Sequence, residues 1–185
     1  YAQMINEEGW LANKIQCEIS IIPIKNYTHK TPYSLAVRPS PNLPNDQAIN
    51  LYPSLCLLEQ TPVSIGRGTE MQFQVFGHPD FKSTAFQFKP QPNFGAKHPK
   101  QENKNCYGVD LREHPKLNKI ELKWLINAYE MASEKEGFFF KRFAFISGTK
   151  SLQNQMQEGL SEQEIRRSWK PKIDAFLKIR AKYLL

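Results

Sequence analysis

The apolar pattern of this chain changes period once, near residue 117, and that change decides its fold class. Before it, apolar residues come in short β-branched or aromatic runs. These are CEISIIPI (Cys17–Ile24), LCLLEQ (Leu55–Gln60), FQVF (Phe73–Phe76), FQF (Phe86–Phe88) and CYGVDLRE (Cys106–Glu113). Runs of this kind, bounded by Gly, Pro and Asn, predict strands. After it, Leu117, Ile120, Leu125, Ala128 and Tyr129 recur at helical spacing, which predicts a helix ending near Lys135, before Gly137. FFFKRFAF is compatible with a strand or a packed loop. Ser161 with Glu164 makes a capping box for a final helix with a buried stripe of Ile165, Trp169, Ile173, Phe176 and Leu177. Pro171 should kink or restart that helix. Strands first and helices after argue for an α+β chain rather than alternating βαβ units. The expected architecture is a mixed or mostly antiparallel, barrel-like sheet with the C-terminal helices packed on it.

The remaining segments read as connections. Ala2–Asn13 predicts a short helix, broken by Gly9. The stretch from Lys25 to Pro44 is polar and interrupted by Pro32, Pro39, Pro41 and Pro44, which predicts a long extended loop. Asn45 can cap a short turn through Leu51, and FGAKHPKQENKN (Phe94–Asn105) is a polar excursion without a core pattern. The chain opens on Tyr1 and is already helix-like there, so a fragment of something longer is expected.

Composition narrows the function classes. A net charge of +7 over 185 residues is compatible with nucleic acid, anionic membrane or acidic polysaccharide. The charge is diffuse, however. Its densest patches, KIRAK near the end and Lys97–Lys104, are not interleaved with aromatics as a base-stacking surface would be. Nucleic-acid binding therefore ranks last. Cys17, Cys56 and Cys106 lack C-x-x-C spacing, and His29, His78, His98 and His114 lack ligand spacing, so neither metal nor cofactor is expected. Cys17 and Cys56 lie in apolar runs and should be small buried hydrophobes. No apolar run approaches the roughly 20 residues of a membrane span.

Four local patterns can carry chemistry. In SPNLP (Ser40–Pro44), two prolines hold Asn42, which can present its amide to a ligand or simply cap its own turn. Glu59 follows an apolar run. There its carboxylate would be partly desolvated and suited to proton transfer or to a sugar hydroxyl, or else it is a surface residue past a strand end. In SIGRGT, Gly66 and Gly68 flank Arg67, whose guanidinium can clasp a carboxylate or phosphate through two parallel hydrogen bonds. Ser64, Gly68 and Thr69 add hydroxyls and backbone N–H groups that could form an anion nest. His78, before Pro79, reads as a hydrogen-bonded loop residue. The spacing matches neither a Walker loop nor a G-x-S-x-G elbow.

Taken in order, SPNLP, LYPSLCLLEQTPVSIGRGT, FQVFGHPDF and NCYGVDL resemble the C-terminal part of the exo-β-N-acetylmuramidases. These are bacterial glycoside hydrolases once known only as a domain of unknown function. YAQMINEEGW resembles the tail of that family's N-terminal domain, and SEQEIRRSWKPKIDAFLKIRAKYLL its last helix. The resemblance implies a missing Rossmann-like N-terminal domain, of which residues 1–14 would be the tail. Residues 15–185 would then form a substrate-cleft domain. It implies release of N-acetylmuramic acid from non-reducing ends of peptidoglycan fragments, in a periplasmic or exported setting. Glycoside hydrolysis ordinarily uses two carboxylates. This chain offers one candidate, Glu59, so the isolated chain is expected to be inactive. The resemblance also implies that Arg67 pairs with the lactyl carboxylate of muramic acid, with Asn42, Ser64, Gly68, Thr69 and His78 at the substrate. A non-catalytic peptidoglycan- or carbohydrate-binding module is the alternative.

Overall fold

A computed structural model describes residues 1–184. The chain divides into two compact units, one made of Tyr1–Tyr33 with the residues from Gln163 onward, the other of Ser34–Glu162.

In the larger unit, Asn45 starts helix α2 (Asp46–Leu55), its side chain accepting the Ala48 N–H at 2.9 Å. Ala48, Leu51 and Leu55, spaced three and four apart, form its buried face. The helix then tightens into a 3₁₀ turn, Cys56–Gln60, where the sequence predicted a strand. The apolar run LCLL has no period of its own and suits either state. The helix entering it decides, and Leu57 and Leu58 are buried as turn residues. Thr61 closes the turn, its Oγ1 donating to the Leu58 carbonyl at 2.8 Å.

The sheet has three antiparallel strands, β1 (Val75–His78), β2 (Phe86–Phe88) and β3 (Cys106–Asp110), in the order β1-β3-β2. It is antiparallel, as predicted, but small and open; the expected barrel does not form. Among the described residues too few strands are present to close one, because two of the predicted strands do not join the sheet. Ser64 extends the ladder beyond β1 by a single bridge to Gly77, with N–H to O=C distances of 2.9 Å in both directions. Val75, Phe88 and Cys106 pack into a core cluster, flanked by Met71 and Phe86.

Helix α3 (Lys123–Met131) packs on the sheet through Trp124, whose ring lies 6.3 Å from that of Phe76 in β1. It starts later than predicted, at Lys123 rather than Leu117, because Asn50 binds the backbone of Leu117 in both directions at 2.8–2.9 Å. FFFKRFAF is a packed loop running into α4 (Phe143–Ser147). Its rings cluster with Tyr129, and the Phe139 and Phe143 centroids are 4.5 Å apart. Each buried ring contributes roughly 1.5–3 kcal/mol. Helix α5 (Ser151–Gln157) buries Leu152 and Met156.

The smaller unit holds α1 (Ala2–Glu7) and most of α6 (Glu162–Arg180). Pro171 neither ends nor restarts α6, which remains one element of 19 residues. Its predicted stripe is buried only at Ile165; Trp169 is half-buried, and Ile173, Phe176 and Leu177 are exposed. Cys17–Ile24 lies outside every strand, and Cys17 is exposed rather than buried. It is tied down at one end, where the Asn6 amide donates to the Cys17 carbonyl at 3.0 Å and accepts its N–H at 2.7 Å. The Glu8 carboxylate accepts from Lys182 and from the Tyr183 hydroxyl, both at 2.8 Å, and these bonds hold it below the usual carboxylate range.

Candidate functional site

The turn Ser64–Thr69 is built around two left-handed glycines. Gly66 has φ +78° and Gly68 φ +81°. A Cβ on Gly66 would lie 2.5 Å from the Met71 carbonyl oxygen, and one on Gly68 2.6 Å from that of Gln91, so no side chain fits at either position. The turn is fastened on all sides. Phe73 donates to the Ile65 carbonyl at 2.9 Å, Gln91 to that of Gly68 at 2.8 Å, and the Thr69 hydroxyl to that of Gly66 at 2.7 Å. Thr69 Oγ1 also accepts the Met71 N–H at 2.9 Å. Thr69 therefore braces the turn with its hydroxyl, and the Ser64 and Thr69 N–H groups are spent on Gly77 and Gly66.

What the turn presents is Arg67. Its guanidinium pairs with the Glu59 carboxylate, donated from the 3₁₀ turn, and lies 5.3 Å from the Phe73 ring centre. Arg67 Nε is buried without a hydrogen-bond partner among the described residues, as is Ser64 Oγ. Glu59, Ser64, Ile65 and Arg67 share a recess of about 220 Å³ with Gly95, Ala96, His98, Pro99 and Lys100.

Lys100 fixes the base of this recess. Its ammonium donates to the carbonyls of Leu58, Thr61 and Val63 at 2.9, 2.7 and 3.0 Å. Those residues bracket Glu59 and lead into Ser64. Burial pulls Lys100 down to about 8, against the attraction of Glu59. Sequence reasoning missed Lys100, because it sits in a polar stretch with no pattern to distinguish it from the lysines around it.

The predicted residues are thus partly assembled. Glu59, Ser64 and Arg67 line one recess, and Gly68 and Thr69 shape the turn behind it. Asn42 joins from a distance of 53 residues, its amide donating at 2.8 Å to the carbonyl of Gly95, a lining residue. His78 lies elsewhere. It faces a second recess with Asp80, Phe81 and Ser133, where Ser133 donates to Asp80 at 2.6 Å. Burial lowers the His78 pKa, partly offset by Asp80. Among the described residues, no group of three or more His, Cys, Asp or Glu side chains could hold a metal ion, and no helix is long and apolar enough to cross a membrane.

Comparison with known proteins supplies a family context. Residues 50–185 match the family model described as exo-beta-N-acetylmuramidase NamZ, C-terminal. The whole chain is 26% identical to the peptidoglycan beta-N-acetylmuramidase NamZ of Bacillus subtilis (strain 168), of which it covers 50%. A crystal structure of a DUF1343 family protein from Bacteroides fragilis NCTC 9343 matches all of this chain with a TM-score of 0.90 and 43% identity, over 53% of its own length. A second DUF1343 family protein from the same organism matches with a TM-score of 0.74, over 54% of its length; at 20% identity it shows a shared fold alone. The chain spans about half the length of these relatives.

Proposed function

Since the chain belongs to the NamZ C-terminal family of exo-β-N-acetylmuramidases, we propose that it supplies one wall of the cleft in which such an enzyme removes N-acetylmuramic acid from non-reducing ends of peptidoglycan fragments. The observation that carries this reading is the Glu59–Arg67 pair in a recess whose base is fixed by Lys100. Muramic acid differs from glucosamine by a lactyl ether bearing a carboxylate. A guanidinium has five donors in a planar fork, and Glu59 uses only part of it. The lactyl carboxylate can share the fork or displace Glu59 from it. Displacement would free the Glu59 carboxylate beside the sugar, where it could accept a hydroxyl or move a proton.

One carboxylate is half of an ordinary glycosidase pair. The second belongs, in this reading, to a Rossmann-like domain upstream of Tyr1, with residues 1–14 as its tail and the chain from residue 15 forming the cleft domain. Asn42 and Gly68 hold the rim and turn at the substrate, while His78 lies outside the Glu59–Arg67 recess and enters only at an extended ligand. In this reading the whole protein works in the periplasm or outside the cell.

The resting ion pair also favours a second reading. In it Glu59 only positions Arg67, and this chain is a binding wall without a reacting group. The two separate on Glu59→Gln in the protein carrying its upstream residues, assayed by release of N-acetylmuramic acid. Proton transfer by Glu59 predicts a fall in kcat of roughly 10²–10⁴. A positioning role predicts a raised KM with kcat within a few-fold of wild type. Absence of any release by the wild-type protein would refute the muramidase reading itself.

A further inference from the structure

A third recess, of about 450 Å³, adjoins the Arg67 recess, and Gly95 lines both. Its wall is formed by Arg38, Pro41, Glu70, Gln72, Asn93 and Phe94. Three features make it more than a surface dent. Phe94 is 84% exposed, on a loop closed by its own hydrogen bonds. Asn93 and Ala96 bond each other's backbone at 2.9 and 3.3 Å, the Asn93 side chain accepts the Ala96 N–H at 2.9 Å, and Asn42 ties Gly95 from below. Gln72 is 6% exposed, yet among the described residues its Oε1 has no hydrogen-bond partner, and neither does Asn42 Oδ1. A buried acceptor left unpaired within the chain is rare. Arg38 and Glu70 add charged hydrogen-bonding groups at the rim.

We propose that this recess is a second sugar subsite that takes an N-acetylhexosamine ring, the unit next to the muramyl sugar. The apolar C–H face of a pyranose lies on the Phe94 ring. Its acetamido N–H supplies the donor that the Gln72 oxygen lacks, and its ring hydroxyls bond the charged groups of the rim. The volume falls within the roughly 300–1,000 Å³ of small-molecule clefts. The subsite rests on the muramidase reading for its place in the reaction, but not for its ligand chemistry.

Its test is titration of chitobiose, two linked N-acetylglucosamine units, into the protein carrying its upstream residues. Binding is followed by calorimetry and by amide chemical shifts. The subsite predicts perturbed amides at Gln72 and at Asn93–Lys97, and a loss of about tenfold in affinity for Phe94→Ala and for Gln72→Leu, or about 1.4 kcal/mol. Phe94 is exposed, so its truncation leaves the core intact. Undetectable wild-type binding, perturbations confined to the Arg67 recess, or equal affinity for Phe94→Ala and wild type would each overturn the proposal. Muramidase activity is scored separately on the wild type. Chitobiose binding that depends on Phe94 without any release of muramic acid upholds the subsite and removes the muramidase reading, whereas release without Phe94-dependent binding does the reverse.

A different observation carries a second inference. Cys17–Ile24 is β-branched and outside every described strand, and its Ile22 and Ile24 are 90% and 76% exposed. It lies outside residues 50–185, which match the C-terminal family, and the chain spans half of its relatives. We infer that this segment of the cleft domain adds a strand to the upstream domain's sheet, anchored at its start by the Asn6 side-chain amide on the Cys17 backbone. In the protein carrying its upstream residues, hydrogen exchange at the Glu18–Ile24 amides should be slowed at least 100-fold relative to Lys25–Tyr33. Equal exchange in the two stretches would overturn the inference.

Discussion

Replacing Lys100 by Met tests how the candidate site is held. The substitution keeps an apolar stem of similar length and removes the ammonium that three carbonyls share. The Leu58 oxygen keeps other donors, the N–H and hydroxyl of Thr61. Among the described residues, Lys100 is the donor to the Thr61 and Val63 oxygens. Orphaning two buried carbonyls costs about 1–3 kcal/mol each. Relief from burying the ammonium offsets part of that, which leaves a net loss of about 2–4 kcal/mol. For a domain of 150–250 residues, each kcal/mol moves Tm by roughly 2–4 °C, so a fall of about 4–16 °C is expected. The pH dependence has a definite sign. Folding lowers Lys100 from 10.5 to about 8, so the unfolded chain binds more protons between those values. Wild-type stability therefore gains an increment as pH rises from about 8 towards 10.5, and Lys100→Met lacks it. The assay is thermal unfolding of both proteins across that range. A Tm change under about 2 °C, with identical pH profiles, would refute the bracing role.

Three further outcomes follow from the same geometry. Gly66→Ala should cost more than about 1 kcal/mol in urea unfolding, because a left-handed φ coincides with a blocked Cβ position; an unchanged midpoint would contradict this. Asn45→Ala removes the cap on the Ala48 N–H and the bond to Gln74, and should cost about 1–2 kcal/mol in the same assay, against no measurable loss if the helix start is unimportant. Cys106 is fully buried and its thiol is pushed up to about 12, so it should resist thiol-labelling reagents at pH 8 until denaturant is added. Labelling in the native protein at the rate of a free thiol would contradict its placement.

Much of this could be read from residue order, and the gaps have physical causes. The switch from short runs to helical spacing gave the α+β class, and Gly-Arg-Gly gave the turn, because left-handed glycine is a local property. LCLLEQ was misread because a four-residue apolar run has no period. The α6 stripe has helical spacing, but spacing reports amphipathicity, not what covers the face, and Ile173, Phe176 and Leu177 are exposed. The sheet was overestimated because pairing is a non-local matter that Cys17–Ile24 cannot decide alone. The Glu59–Arg67 pairing spans eight residues and was within reach of sequence reasoning; Lys100, about 40 residues from the carbonyls it binds, was not.

The proposed reading of the lactyl carboxylate by Arg67 has a direct consequence for substrate preference. It is tested most directly by kcat/KM for a muramyl glycoside and for the matching glucosaminyl glycoside, in wild type and Arg67→Ala, each with its upstream residues present. A charge-assisted hydrogen bond is worth about 1.5–3 kcal/mol. Wild type is expected to prefer the muramyl substrate by at least about tenfold, and Arg67→Ala to lose most of that preference. If the variant keeps the wild-type preference, Arg67 does not recognise the carboxylate and the account fails.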